Sequence, residues 1–161
     1  MPKGAKKSGE ARDEEKLVAT NRRAYFDFHV DWHVEAGMQL VGTEVKSLRN
    51  GQCQLQGSYV KIDGGEAWLY AANIPEYKSC GALFQHQPQR KRKLLLHRKE
   101  LAKLEIAGNE KGTALIPLKL YFKNGRAKLQ VGVCRGKKVF DKRESIKKRE
   151  ANRDIARYSR D

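Results

Sequence analysis

The dipeptide Asn124-Gly125 constrains this chain more tightly than any other pair of residues. Flanked by two alternating apolar runs, it signals a two-residue type I′ hairpin, whose central positions both need positive φ. Counting outward pairs Phe122 with Ala127, Leu120 with Leu129, Leu118 with Val131 and Ile116 with Val133, all on one apolar face. The opposite face pairs Tyr121 with Lys128 and Lys119 with Gln130. Pro117 has no amide hydrogen to give a neighbour, so its strand should meet an edge or a bulge there.

A second strand is predicted over 25–35. Phe26, Phe28, Val30, Trp32 and Val34 alternate with Tyr25, Asp27, His29, Asp31, His33 and Glu35, the period of a half-buried strand. His29 and His33 stand i,i+4, about 13 Å apart on a strand, too far to share a zinc ion, so no metal site is expected. A further hairpin is read over 58–71 around Asp63-Gly64-Gly65-Glu66. Its apolar face is Val60, Ile62, Ala67, Leu69 and Ala71. Tyr59, Lys61, Trp68 and Tyr70 share the other face. That row could stack bases beside cations, although a second core layer under a helix or loop is the favoured reading.

Helical segments are short. In 42–51, GTEVKSLRNG, Gly42 supplies a tight strand exit, Thr43 an N-cap, Glu44 a first-turn acid and Gly51 a left-handed stop. Such a short helix is marginal alone, so Val45 and Leu48 must press on a sheet while Lys46 and Arg49 point outward. From His97 a second helix runs to Gly108, with Leu101 and Leu104 inward. Asn73 to Gln89 reads as loop. The stretch RKRKLLLHRK at 90–99 places six bases around three leucines, which nuclear-targeting signals also do by composition. Several short antiparallel strands with two small helices suggest an all-β fold, a small barrel, over 21–135.

The charge narrows the partners. With 34 Lys and Arg against 19 Asp and Glu, the chain carries +15, which calls for a polyanion such as nucleic acid. No apolar run long enough to span a bilayer, and no signal-peptide core, can be read. A membrane-surface role lacks a wide apolar face beside the cations. Cys53, Cys80 and Cys134 are odd in number and far apart, as expected for reduced thiols in the cytoplasm. Residues 1–20 read as a disordered basic arm. Residues 136–161 hold helix formers and the acid-before-base pairs Glu144–Lys147, Glu150–Arg153 and Asp154–Arg157 but no continuous apolar stripe. This tail is predicted to be disordered when free and helical on a polyanion.

Seven motifs in order resemble those of the bacterial small protein B (SmpB) family: NRRA at 21–24, EAG at 35–37, GTEVKSLRNG, SYVKI at 58–62, PQRKRKLLLH at 88–97, PLKLYFKNGRAKL at 117–129 and GKKVFDKRE at 136–144. The resemblance implies an oligonucleotide-binding-like (OB-like) antiparallel barrel of about six strands, with three short helices and a basic tail. It further implies a non-enzymatic adaptor that binds the tRNA-like domain of transfer-messenger RNA and brings it to stalled ribosomes. Such a protein needs no cofactor and is expected to be a monomer off the ribosome. Glu35, Leu95 and Lys128 match RNA-facing positions, with Lys93 and Arg49 as supporting contacts. Asn21, Arg22, Lys46 and Tyr121 are expected to extend that RNA-binding set. In the tail, Gly136, Lys137, Lys138, Asp141, Lys142 and Arg143 match the segment that reaches the decoding centre and empty message channel of the small subunit. Phe140, Lys147, Lys148, Arg149 and Arg153 are expected to continue that contact. Phe140 stands where some members have His or Tyr, which keeps stacking but loses a polar group.

From the residues alone, a general barrel-type RNA-binding ribosomal or translation-factor protein is the second reading. An RNA-processing enzyme using Glu35 or Glu44 lacks a nucleophile–base pair, a metal triad and a phosphate-cradling glycine loop.

Overall fold

In the computed structural model, which describes residues 14–159, the order of elements is β1 (Glu15–Thr20), α1 (Arg22–Asp27), β2 (Phe28–Met38), α2 (Gly42–Arg49), β3 (Tyr59–Asp63), β4 (Glu66–Tyr70), a 3-10 turn (Ala82–Phe84), β5 (Arg92–Leu95), α3 (Arg98–Asn109), β6 (Thr113–Lys123), β7 (Arg126–Gly136) and α4 (Val139–Tyr158). The strands pair in the order β6–β3–β4–β5–β2–β7, and β7 pairs back onto β6, so the ladder returns to its first strand. The sheet is antiparallel throughout.

Turn chemistry sets the two hairpins. Asn124 and Gly125 have φ of 50° and 76°, and Gly64 and Gly65 have 57° and 74°, the positive values that type I′ turns need. Phe122 faces Ala127, Leu120 faces Leu129 and Tyr121 faces Lys128, as counted from the sequence. Beyond Pro117 the register slips: Pro117 faces Val131, Ile116 faces Gly132 and Leu115 faces Val133. Leu118 is the extra residue of a bulge at the position where the proline withholds its amide. β2 carries a matching irregularity between Val30 and Trp32. A bulge inverts the inside–outside alternation, so the single apolar face expected on each strand is split. Trp32, Val34, Leu115, Leu120 and Phe122 join the main core with Leu48, Leu69, Leu129 and Val131. Ile116, Leu118 and Cys134 instead build a second, smaller core with Ala24 of α1, flanked by Phe28 and Val30. Gly132 makes room for it, since a Cβ there would lie 2.7 Å from Leu118 Cδ1.

Several expectations are corrected. The disordered arm 1–20 is a strand over Glu15–Thr20; its other part, 1–13, lies outside the described residues. β1 pairs with β6 from Lys119 to Lys123, covering an edge that β3 reaches only at Leu115, and Val18 and Ala19 pack on the main core. Averaging composition over the whole arm concealed this short apolar run. The strand predicted from Tyr25 begins at Phe28, because Asn21 caps a helical turn over Arg22–Asp27. Gly42 lies inside α2, and the cap is Val41, whose amide donates to Glu44 Oε2 at 3.0 Å. Gly51 takes φ of 75° and ends that helix as expected.

Among the described residues there are four α-helices where three were expected, the fourth being the tail. Its 20 residues are helical here although none is buried. Lys138 N–H donates to Asp141 Oδ2 at 3.3 Å, and of the three expected acid–base pairs Asp154–Arg157 closes at 3.9 Å. α1 and β2 anchor its start, as described below.

Candidate RNA-binding interface

Outward-facing residues of the ring form one continuous track through its registers. Tyr121 faces Lys128, Lys128 faces Gly37, and Gly37 faces Leu95. Glu35 precedes Gly37 by two on the same face of β2, and Lys93 precedes Leu95 by two on β5. The Tyr121 hydroxyl donates to Glu35 Oε2, and Lys128 Nζ lies 3.9 Å from Glu35 Oε1. Burial and then the bond to Glu35 push the Tyr121 phenol above its usual value, so it acts as a hydrogen-bond donor and never as an anion. Beside this cluster is an open groove of about 610 Å³, lined by Glu35, Leu95, His97, Arg126 and Lys128 over an apolar floor that includes Val45 and Phe122.

Leu95 is 53% exposed, in place of the core seat that three leucines in a row suggest. Strand alternation explains it: Leu94 points into the core and Leu95 out. Gly37 accommodates it, for a Cβ there would stand 3.3 Å from Leu95 Cβ. Of the RNA-binding residues predicted from sequence, the fold therefore brings Glu35, Leu95 and Lys128 into one groove, with Tyr121 bonded to Glu35 beside it. Lys93 adjoins it, in an ion pair with Glu66 at 2.5 Å. Arg49 lies over the Phe122 ring at 6.0 Å, on the side of the groove floor. Lys46 points outward from α2 but over Tyr77, 5.6 Å from its centroid.

Asn21 does not belong to the interface. It is 4% exposed, its amide donates to the carbonyls of Leu55 (3.2 Å) and Pro117 (3.0 Å), and its Oδ1 accepts the Ala24 amide at 3.1 Å. A residue bonded on every side in the interior has nothing left for RNA, so the prediction for Asn21 is corrected to a structural one. Arg22, its neighbour, is exposed on α1, with Tyr25, Phe26 and Arg149 about it. The bases of 90–99 also divide. Arg92 is 0% exposed and binds Glu44 of α2, as does Arg90 (2.8 and 2.6 Å).

The tail starts at the other end of β7. Gly136 closes that strand opposite Phe28, and eight residues separate it from Lys128, about 27 Å at strand spacing. Lys137 is held: its amide donates to Asp27 O at 2.9 Å, and its Nζ to Tyr25 O at 3.1 Å and Ser145 Oγ at 3.3 Å. Lys142 pairs with Asp27 at 3.3 Å, Asp141 lies 3.5 Å from His29 Nε2, and Arg149 stands over Phe26 at 5.8 Å. Arg23's hydrogen bond, aided by Lys142, holds the Asp27 carboxyl below its ordinary value. Lys138, Phe140, Arg143, Lys147, Lys148 and Arg153 are exposed. Sequence reasoning missed Asp27 and His29 as anchors; the only available signal was their place on the polar face of the first strand.

Burial pushes the Cys53 and Cys134 thiols up to about 11, keeping both protonated near neutrality. Among the described residues, no group of three His, Cys, Asp or Glu could hold a metal ion, and no helix is long and apolar enough to cross a membrane.

Comparison with known proteins places the whole chain. A family profile described as "SmpB protein" matches residues 18–161. The SsrA-binding protein of Roseiflexus sp. (strain RS-1) is 49% identical over 145 residues, 90% of this chain and 92% of that protein. The SsrA-binding protein of Desulfitobacterium hafniense (strain DSM 10664 / DCB-2) is 50% identical over 146 residues, covering 91% and 93%. A solved chain from "tmRNA-SmpB: a journey to the center of the bacterial ribosome" superposes with a TM-score of 0.66 at 44% identity, over 76% of this chain and 86% of that one. With so much of its length matched in sequence and in fold, the chain belongs to the SmpB protein family.

Proposed function

We propose that this protein is the RNA-binding adaptor of trans-translation: it binds the tRNA-like domain of transfer-messenger RNA and delivers it to stalled ribosomes, where the C-terminal tail probes the decoding centre and the empty message channel. The observation that carries the reading is the separation of two cation-bearing surfaces along one strand. The groove of Glu35, Leu95 and Lys128 lies towards one end of β7, and α4 leaves from the other. The closed ring of strands serves as an OB-like barrel whose outer face meets RNA. Lys128, Lys93 and Arg49 supply charge to phosphates, while Glu35 and Tyr121 offer an acceptor and a donor that can read a base edge or ribose hydroxyl. On this reading the protein works in the cytoplasm, catalyses no reaction, uses no cofactor and is a monomer off the ribosome. α4 spans about 30 Å, long enough to line a channel with Lys147, Lys148, Arg149 and Arg153.

Two variants test the division of labour. Lys128→Ala should weaken binding of a tRNA-like-domain fragment with the melting curve unchanged, and should flatten the fall of affinity with log salt by about one phosphate contact. Truncation after Lys138 should leave RNA binding intact and abolish tagging on stalled ribosomes. Normal tagging by the truncated chain, or unaltered RNA affinity in Lys128→Ala, would refute the assignment.

A further inference from the structure

The outer track does not stop at Leu95. Lys93 faces Trp68 on β4, and Trp68 faces Lys61 on β3, so the same surface continues across the β3–β4 hairpin. There Tyr59 faces Tyr70, their rings stacked with centroids 5.4 Å apart and planes at 10°. Lys91 Nζ lies 4.7 Å from the centroid of the Trp68 ring. None of the three aromatic residues belongs to either core, and Tyr59 is 46% exposed. Trp68 and Tyr70 are half-buried, and among the described residues the rings form no part of a second core layer, the favoured expectation from sequence.

We infer that Tyr59, Trp68 and Tyr70, with Lys61 and Lys91, form a stacking platform for unpaired nucleotides of RNA, a second subsite on the same outer face as the Lys128 groove. The inference rests on the RNA-binding reading above and extends it to single-stranded RNA. Aromatic rings beside cations hold unpaired bases through stacking and phosphate contact, with little regard to sequence. A nucleic acid fits this surface better than an acidic peptide because flat rings dominate it. The cations flank those rings, one lying directly over an indole face. Two acids share this face, Asp63 and Glu66, paired across the hairpin turn; Lys93 engages Glu66, and Lys61, Lys91 and Lys93 still outnumber them. The platform is also continuous, strand by strand, with the groove. From Lys128 to Trp68 the track crosses about three ladder spacings, ~15 Å, a distance a few extended nucleotides can bridge.

Aromatic cross-strand pairs also stabilise hairpins, so the test has to separate stacking on a ligand from stacking within the sheet. Fluorescence anisotropy of the full chain would compare a labelled hexauridylate with an equally charged hexamer of abasic sites. Base stacking predicts that the uridylate binds about tenfold more tightly. Tyr59→Leu and Trp68→Leu keep apolar bulk but remove the rings; each should erase most of that preference and leave the abasic affinity unchanged. Lys128→Ala should retain the preference. Equal binding of the two oligomers by the wild-type chain would overturn the platform, as would full preference in both leucine variants. If one variant does not fold, the wild-type comparison and the other variant still decide. Loss of the preference alongside intact, Lys128-dependent binding of a tRNA-like fragment removes only the platform; loss of both removes the RNA-binding reading itself.

Discussion

Glu44 provides the sharpest test of how the RNA-facing elements are held. The carboxylate is 0% exposed and accepts from Arg90 Nε (2.7 Å), Arg90 Nη2 (2.6 Å), Arg92 Nε (2.8 Å) and the Val41 amide (3.0 Å). Arg92 is equally buried and donates through Nη1 to the carbonyls of Ala72 and Arg90 and through Nη2 to that of Pro88. The network ties α2, which carries Lys46 and Arg49, to β5, which carries Lys93 and Leu95. Glu44→Ala would strand the Arg92 guanidinium in the interior, at a cost of about 3–5 kcal/mol. For a chain of this length that is a fall in Tm of roughly 6–20 °C, readable by circular dichroism and urea titration. Removing both charges, in Glu44→Leu with Arg92→Met, should cost less than Glu44→Ala alone, because no buried ion is left unmatched.

Acidity offers an independent readout of the same network. Burial pushes the Glu44 carboxyl up, but the bonds from Arg90, the Val41 amide and Arg92 outweigh it and hold the group below its usual 4.5. A folded value below the unfolded one means that the stabilisation is complete above about pH 4.5 and is lost as pH falls through the folded value. Glu44→Gln should therefore be much less stable than wild type at neutrality and converge with it in strong acid. A loss below ~1 kcal/mol in Glu44→Ala, or a gap between Glu44→Gln and wild type that does not narrow in acid, would refute the reasoning.

Two further substitutions test the frame. Asn21→Ala leaves the buried carbonyls of Leu55 and Pro117 without their donor and should cost about 1–3 kcal/mol in urea unfolding, while the folded protein binds RNA as before. Gly132→Ala sets a Cβ 2.7 Å from Leu118 Cδ1 and should cost about 1–3 kcal/mol. Trimming the obstructing side chain in Gly132→Ala with Leu118→Ala should recover part of the overpacking loss, measured against Leu118→Ala alone.

The candidate site was legible wherever a residue's position follows from local period. Period two put Glu35 and Lys128 on outward faces, and the Asn124-Gly125 turn set Tyr121 opposite Lys128. Leu95 was assigned by resemblance alone, because a run of leucines does not say which member turns outward. Asn21 was misassigned because a short polar side chain reads alike as a surface contact and as a buried cap. Arg92 looked like one cation in a basic run, although a buried carboxylate from a distant helix claims it.

The sequence by itself determined the hairpin turns, the strand periods, the net charge and the stop at Gly51, because each depends on neighbours along the chain. Only the tertiary structure decided where the registers slip. The bulges at Leu118 and between Val30 and Trp32 invert the alternation and give α1 a core of its own, a choice made by packing across strands. It decided too that β1 covers the bare edge of β6, that α4 is anchored through Asp27 and His29, and that Tyr59, Trp68 and Tyr70 stand outside both cores. These outcomes depend on contacts between residues far apart in the chain, which no local pattern encodes.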